Sequence, residues 1–430
     1  MSNTLRPSGC PGLLRIVQAL DGGICRIKLA GGSITAEQAS TVADAAKAYA
    51  GGVIEATNRA NVQVRGIGGD HNALIAALLA ADLGPSTAGG DDVRNLMLSP
   101  GAGIDRGMLF DTRPLAAQIL ATLQTHPRVH ELSAKFAVQL DGGEALAMLE
   151  HHHDLWLSAF EANGETLLAF GLAGCPGHDA PLAAVSLEQG HELVVAVLEW
   201  FLDLARPEQT RMRHLLAETS VDNFLGRLSM TLRPVDGFSR RPNAAPLHLG
   251  TYPQRQENSV YVAVVAPLGR LDSSMLKGAA RLAVDYGDAT LRFTPWQGVL
   301  LPNVPIQNAA IVTRRLEQLG FLCSTEQPLA HLIACTGSSG CSKGLADTKA
   351  DALQLANRLQ GQDVHLSGCL RSCAAAYTAP VTLLAVSPGH YDLYFRETGQ
   401  PGFGRLHART LSLSAASAIL RARPRSNTDD

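Results

Sequence analysis

The chain is short of charge, of aromatic rings and of long apolar runs. Charged residues make up 17% of its 430 positions, aromatics 5%, and the formal net charge is -3. Without a basic excess it has no field to hold a nucleic-acid backbone, and without an acidic tail none to draw a basic partner. No run of 18 apolar residues occurs, and the first residues lack an apolar core of signal-peptide length. The expectation is a cytoplasmic protein with neither nucleic acid nor membrane as partner. Hydrophobic residues still reach 46%, enough for two or more cores in a chain this long.

Cysteine is sparse as well, and its distribution is uneven. Of eight, four fall in two tight pairs: Cys335 and Cys341 in CTGSSGC, Cys369 and Cys373 in CLRSC. Cys10, Cys25, Cys175 and Cys323 are scattered, and Cys25 and Cys323 sit in apolar stretches that suit a small buried hydrophobe. In a reducing compartment, paired cysteines point to metal or redox ligation before structural disulfides.

The chain also repeats itself. GGICRIKLAGGSITAEQASTVADAAKAYAGGVIEATNRANVQVRGI from residue 22 and NSVYVAVVAPLGRLDSSMLKGAARLAVDYGDATLRFTPWQGVLLPNV from 258 follow one plan. Each reads as a strand, a helix with an apolar stripe, and a strand ending in a turn, with Thr57 matching Thr294. Further on, NLMLSPGAGIDRGMLFDTRPLAAQIL pairs with HLIACTGSSGCSKGLADTKADALQLA, which sets Asp111, Thr112 and Arg113 on Asp347, Thr348 and Lys349; ELSAKF then aligns with HLSGCL. Three blocks in one order at nearly constant separation imply internal duplication. Each copy reads as an α+β unit followed by a strand-loop-helix unit, with linkers expected at 84–92 and 236–250. Two such copies would pack about a pseudo-twofold axis, and a ligand would lie in the seam.

Both cysteine pairs follow apolar strands and lie in loops rich in Gly and Ser, where backbone N–H groups can approach a charged group closely. Structural zinc sites favour two short knuckles, and the five-residue gap between Cys335 and Cys341 fits them poorly. Four thiolates on two loops match the corners of an iron-sulfur cube. Four unligated thiols remain the alternative.

This arrangement resembles the sirohaem-containing nitrite and sulfite reductase superfamily over nearly the whole chain. The resemblance implies a duplicated α+β fold, with ferredoxin-like half-domains at 1–84 and 239–320 and α/β modules at 85–238 and 321–430. It implies a four-iron four-sulfur cluster on Cys335, Cys341, Cys369 and Cys373, with Cys373 bridging to a second iron. Residue by residue, ATNRANVQ offers Arg59, VRNLMLSP offers Arg94 and LSAKFAV offers Lys135 as cations for a tetrapyrrole or a small oxyanion. Arg suits such carboxylates through its bidentate fork. The reductases carry a second Lys two places after the first; here that place is Ala137.

The opening RPSGCPGLLRIVQALDGGICRIK and the segment LRFTPWQGVLL are similar to the precorrin-3B synthase branch of that superfamily, although Gln297 stands where Arg is common. That branch implies oxygen-dependent hydroxylation of precorrin-3A with lactone formation, in aerobic cobalamin synthesis. The partners would be the tetrapyrrole substrate, molecular oxygen and an unidentified electron donor. The other reading is a sirohaem-dependent sulfite or nitrite reductase. The second iron would be that of sirohaem or a mononuclear non-haem iron. For the latter, EHHHD at 150–154 is the local His cluster, read here as a solvated loop before a strand. GAGIDRG at 101–107 is read as an anion-binding loop or a plain turn, and Trp296 as filler between modules.

Overall fold

The computed structural model describes residues 9–242, 247–359, 361–397, 400 and 402–423. Arg6 of the opening motif and residues 243–246 of the second expected linker lie outside them. The fold is α+β, with four five-stranded sheets.

Two of the sheets are antiparallel and exchange a strand. Val17–Ala19, Gly22–Ile27, Val62–Ile67 and Ile54–Ala56 form one sheet, whose last strand pairs with Arg270–Leu271 of the second copy. Gly250–Pro253, Ser259–Val265, Gly298–Pro305 and Thr290–Phe293 form the other, closed by Ser33–Thr35 of the first copy. Each exchanged strand leaves a short turn through a glycine at positive φ, Gly32 at 70° and Gly269 at 72°. A Cβ on Gly32 would collide with the Phe293 carbonyl, so the crossing needs a residue without a side chain.

A helix starts straight after each exchanged strand. Ala36–Tyr49 is capped by Thr35, which accepts from the Gln38 N–H at 3.1 Å; Ser273–Tyr286 is capped by Asp272, which accepts from Met275 at 2.8 Å. The two helices pack together. Small residues on their buried faces, Ala39, Ala43 and Ala46 on one and Ala279, Ala280 and Ala283 on the other, allow close approach, and both helices share one core with both sheets.

The other two sheets repeat a single topology. Leu96–Leu98, Val138–Asp141 and His153–Ala162 run parallel, followed by antiparallel Glu165–Gly174 and Ala183–Ser186. Leu332–Ala334, Val364–Ser367 and Val381–Ser387 run parallel, followed by antiparallel His390–Phe395 and Arg405–Ser412. Each sheet has its own apolar core.

The strand order corrects one sequence match. Val138–Asp141 occupies the place of Val364–Ser367, so ELSAKF is not the counterpart of HLSGCL. ELSAKF lies in a turn before its strand, whereas HLSGCL is a strand running into its loop. Similar letters on different local structure misled the alignment. The pairing makes Gly142 the counterpart of Gly368.

Candidate functional site

The cysteine loops are held together by their glycines. The Leu345 N–H donates to the Gly368 carbonyl at 2.9 Å, and Gly368 donates to Cys335 Sγ at 3.2 Å. A Cβ on Gly368 would stand 3.3 Å from that sulfur and 3.4 Å from the Gly337 Cα, so a larger side chain would press the two loops apart. Thr348, first residue of the helix Thr348–Ala356, donates to the Cys335 carbonyl at 2.7 Å and lies 3.5 Å from its sulfur. The structure brings the four thiols together: burial raises the Cys373 pKa, and Cys335, Cys369 and Cys341 each raise it further. Packed thiols that resist sharing negative charge are a donor set suited to cationic iron.

The first cysteine loop docks on the sheet of the other copy. Arg65 donates to the Gly340 carbonyl at 3.3 Å while its guanidinium grips Asp21 in a fork, both bonds at 3.0 Å. Thr336 donates to Glu55 at 3.4 Å. Burial alone would raise the Glu55 pKa, but Lys349, Arg65 and Arg270 around it outweigh burial and hold it below the ordinary carboxylate range. Lys349 also donates to the Leu268 carbonyl at 2.5 Å, tying the cluster module to the turn beside the exchanged strand. Breaking such a buried ionic group by removing one partner costs about 3–5 kcal/mol.

Cys373 is the exposed member of the four, and it looks toward cations. Burial lowers the pKa of Arg26, with the Cys10 and Cys373 thiols opposing. Arg59 is pushed down to about 10, by burial first and then by the neighbouring Arg211 and Arg26; Asp154 and Cys10 oppose. Lys28 is pushed down to about 7, chiefly by burial and with Arg26 and Arg94 contributing, although its ammonium donates to the carbonyls of Asp91 and Asp92 at 2.6 and 2.7 Å. Arg59, Arg26, Lys28 and Arg94 thus neighbour one another in turn. The Arg59 backbone N–H donates to Thr57 Oγ1 at 3.3 Å, while its guanidinium makes no hydrogen bond or ion pair to a described residue; Nε and Nη2 of Arg94 are buried without a hydrogen-bond partner, Nη2 standing 4.0 Å from Asp91 Oδ1. Half-buried arginines beside the buried Lys28, with donors to spare, match a ligand bearing several carboxylates.

Of the three cations expected from sequence, Arg59 and Arg94 join this row. Lys135 is exposed, in the turn before its strand, with its backbone N–H on Ser133 Oγ at 3.2 Å. Arg26, Lys28 and Arg211 were missed. The first two had a signal: they stand two apart, Arg26 on the otherwise apolar strand Gly22–Ile27 and Lys28 just past its end, alternating with Cys25 and Ile27. Arg211 had none. It is held by Asp154, both contacts at 2.9 Å, and Asp154 also accepts from the Ala137 N–H at 2.9 Å. The corner without a second Lys therefore holds an Arg already neutralised by a carboxylate.

Three other expectations are resolved. EHHHD is no solvated loop: His151 and His153 are buried, and the strand already begins at His153. Burial, then Arg59, pushes His153 down to about 3, so it is neutral. In GAGIDRG the N–H groups of Gly101, Ala102, Ile104 and Asp105 are already taken by Ser99 and Gly101, as in a plain turn. The carbonyls of Pro100 and Ala102 point at Arg292, each at 2.8 Å, and a Cβ on Gly103 would strike the Arg113 guanidinium. Trp296 stacks on His248 at 5.1 Å and packs beside Ile104 and Leu146 of the first module, as interface filler should.

Paired thiols against a row of cations, on a duplicated frame with exchanged strands, define an iron-sulfur oxidoreductase architecture. The family model "Nitrite and sulphite reductase 4Fe-4S domain" matches residues 89–233, and "Nitrite/Sulfite reductase ferredoxin-like half domain" matches twice, at 17–81 and 252–319. The chain is 31% identical over 389 residues to a chloroplastic ferredoxin–nitrite reductase of Zea mays, covering 83% of this chain and 68% of that one. It is 24% identical over 405 residues to a precorrin-3B synthase of Sinorhizobium sp, covering 90% and 82%. The solved structure of the Mycobacterium tuberculosis NirA protein superposes with TM-score 0.78 at 19% identity, over 94% of this chain and 82% of that one. The chain belongs to the nitrite and sulphite reductase family, whose members are oxidoreductases. It spans about two thirds of the length of the plant relatives, 65% for that of Oryza sativa subsp. japonica. No described helix is long and apolar enough to cross a membrane.

Proposed function

We propose that the protein is a precorrin-3B synthase, hydroxylating precorrin-3A with molecular oxygen and closing a lactone on a ring acetate. The observation that carries this reading is the cation row facing Cys373 at a site with Ala137 and Cys10 in it. A full reductase set would put a second Lys at 137; here that position is small and apolar, and Cys10 from the Cys-Pro-Gly opening stands beside Arg26 and Arg59. A site with fewer free cations for a small oxyanion still suits the carboxylates of a large ring. The precorrin-3B synthase relative also shares a larger part of both chains than the plant reductases do.

In this reading Cys335, Cys341, Cys369 and Cys373 hold a four-iron four-sulfur cluster, which supplies electrons one at a time when bound. Arg59 and Arg94 take ring carboxylates, Arg26 closes the space between them and Cys373, and Lys135 serves the rim. Burial of the row strengthens each of these contacts, because little water competes. One oxygen atom enters the macrocycle, the other leaves as water, and an external donor provides the electrons. A cytoplasmic location goes with this chemistry.

The second reading, a sirohaem-dependent nitrite or sulfite reductase, is favoured by the 31% identity to the Zea mays reductase. One experiment separates the two. Anaerobically purified, cluster-replete protein is given precorrin-3A, a reductant and oxygen, and substrate mass is followed. Oxygen-dependent conversion supports the synthase. Unchanged mass, with a sirohaem Soret band and nitrite- or sulfite-dependent electron consumption, rejects it.

A further inference from the structure

Away from the cation row, a third kind of site is built where two strands part. His153 pairs with Gly174 across the hairpin of His153–Ala162 and Glu165–Gly174, so the residues just outside that pair, His152 and Cys175, flank the ladder's open end. The chain then turns through CPGHD and returns Asp179 to the same spot: Asp179 Oδ2 accepts from the Cys175 N–H at 2.8 Å. One ligand atom each from His152, Cys175 and Asp179 lie within 4.8 Å of one another. Gly174 is part of the design, because a Cβ there would collide with the Asp179 carboxylate. The neighbouring His151 and His153 are buried and sense Arg59 and Arg211 as well as His152. The EHHHD run is therefore divided, and it gives this cluster only its middle histidine.

We propose that His152, Cys175 and Asp179 form a site for a divalent zinc-type ion, which clamps the start of one strand to the exit of the next. One thiolate, one imidazole and one carboxylate are a borderline-soft set, matched to zinc and poorly to magnesium or calcium. Ligand atoms around tetrahedral zinc stand roughly 3.3–3.8 Å apart, given metal–ligand bonds of about 2.0–2.3 Å. The trio needs to close by about 1 Å. Cys175 is buried and Asp179 is anchored by its bond to the Cys175 N–H, so the exposed His152 does the closing. A water completes the fourth position. The proposal is independent of the reaction at the cation row.

Full-length protein purified anaerobically, without chelator, from cells supplied with both iron and zinc is analysed for metals, with cluster iron counted through labile sulfide. About one zinc per chain is expected in the wild type. His152→Ala and Asp179→Asn should lose it at least tenfold while cluster absorption stays unchanged. Cobalt(II), used as a probe, should give a thiolate-to-cobalt charge-transfer band that Cys175→Ala abolishes. Should Cys175→Ala fail to fold, the exposed His152→Ala carries the test alone. Zinc well below stoichiometric in the wild type, zinc retained by the His152→Ala Asp179→Asn double variant, or non-cluster iron held there instead would each overturn the assignment.

Discussion

The two copies of the duplicated frame solve the same local problem with opposite chemistry. The loop Cys335–Cys341 leaves its strand and docks on Glu55, and the matching loop Ser99–Asp105 leaves its strand and docks on Arg292. Glu55 and Arg292 occupy equivalent strands, yet one is a buried carboxylate among cations and the other a buried guanidinium among carbonyls. The turns Thr57–Asn61 and Thr294–Gly298 are closed by the same bonds, Thr57 N to Asn61 O and Thr294 N to Gly298 O. On that shared turn Arg59 faces the cation row, and Trp296 fills a module interface. The cysteine positions diverge most. Beside Gly142 the first copy gathers Asp105, Asp141 and Glu144 in place of thiols, and burial, then Asp141, pushes the Glu144 carboxyl well up. A duplicated backbone supplies two equivalent pockets. Side chains decide that one gathers four thiols and the other is plugged by its own polar groups and by Arg240, which grips Asp141.

The largest expected break in this comparison comes from Cys373→Ser. It should abolish the cluster's visible absorption and stoichiometric labile sulfide, whereas Ser99→Cys combined with Asp105→Cys should create neither, because Arg113 and the buried acids fill that pocket. A cluster signal surviving Cys373→Ser would show that the four thiols are not the ligand set.

The shared turn gives a second, smaller contrast. Trp296→Ala should cost about 3 kcal/mol in denaturant stability, the low end for a large core truncation because the ring is partly exposed, and leave tetrapyrrole affinity near wild type. Arg59→Ala should do the reverse, weakening binding tenfold or more with stability within about 0.5 kcal/mol. Equal losses in the two assays for Arg59→Ala would remove it from the ligand site.

The smallest effect is the share of the pH dependence that the second copy adds to that of the buried His151 and His153 of the first. His365 is pushed down to about 4 by burial; His248 is also pushed down to about 4, by burial first, with Asp363 opposing and His331 assisting. Both are neutral when folded. As pH falls below 6.5 the unfolded chain gains protons that the folded one refuses, so stability drops until about pH 4, by up to about 1.4 kcal/mol per pH unit for each group. Urea unfolding at pH 7.5 and 5.5 should show the loss, and His365→Gln should reduce it. An unchanged slope in that variant would assign the dependence elsewhere.

Much of the site was legible because its chemistry is carried by residue type and spacing. The two cysteine pairs, the glycines beside them, Arg59 after its threonine turn and Arg94 all stand in short segments whose meaning is local. Arg26 and Lys28 were readable in principle, as polar residues alternating with apolar ones along a strand and just past its end. Arg211 was not: it enters from a distant loop and is placed by Asp154, and no local pattern records that meeting. The His run misled for the same reason. Three adjacent histidines look like one feature, but alternation along an extended chain sends His151 and His153 to one environment and His152 to another.

Sequence by itself determined that this chain is duplicated, that four of its thiols come in two tight pairs, and that Ala137 stands where the reductases carry a second Lys. Those are matters of composition and order along the chain. Only the tertiary structure decided that the copies exchange strands, that each loop docks on the opposite copy, and that Cys373 comes beside Arg26. These depend on pairings between residues far apart in sequence, whose free energy is set by the burial and partners that the completed fold supplies.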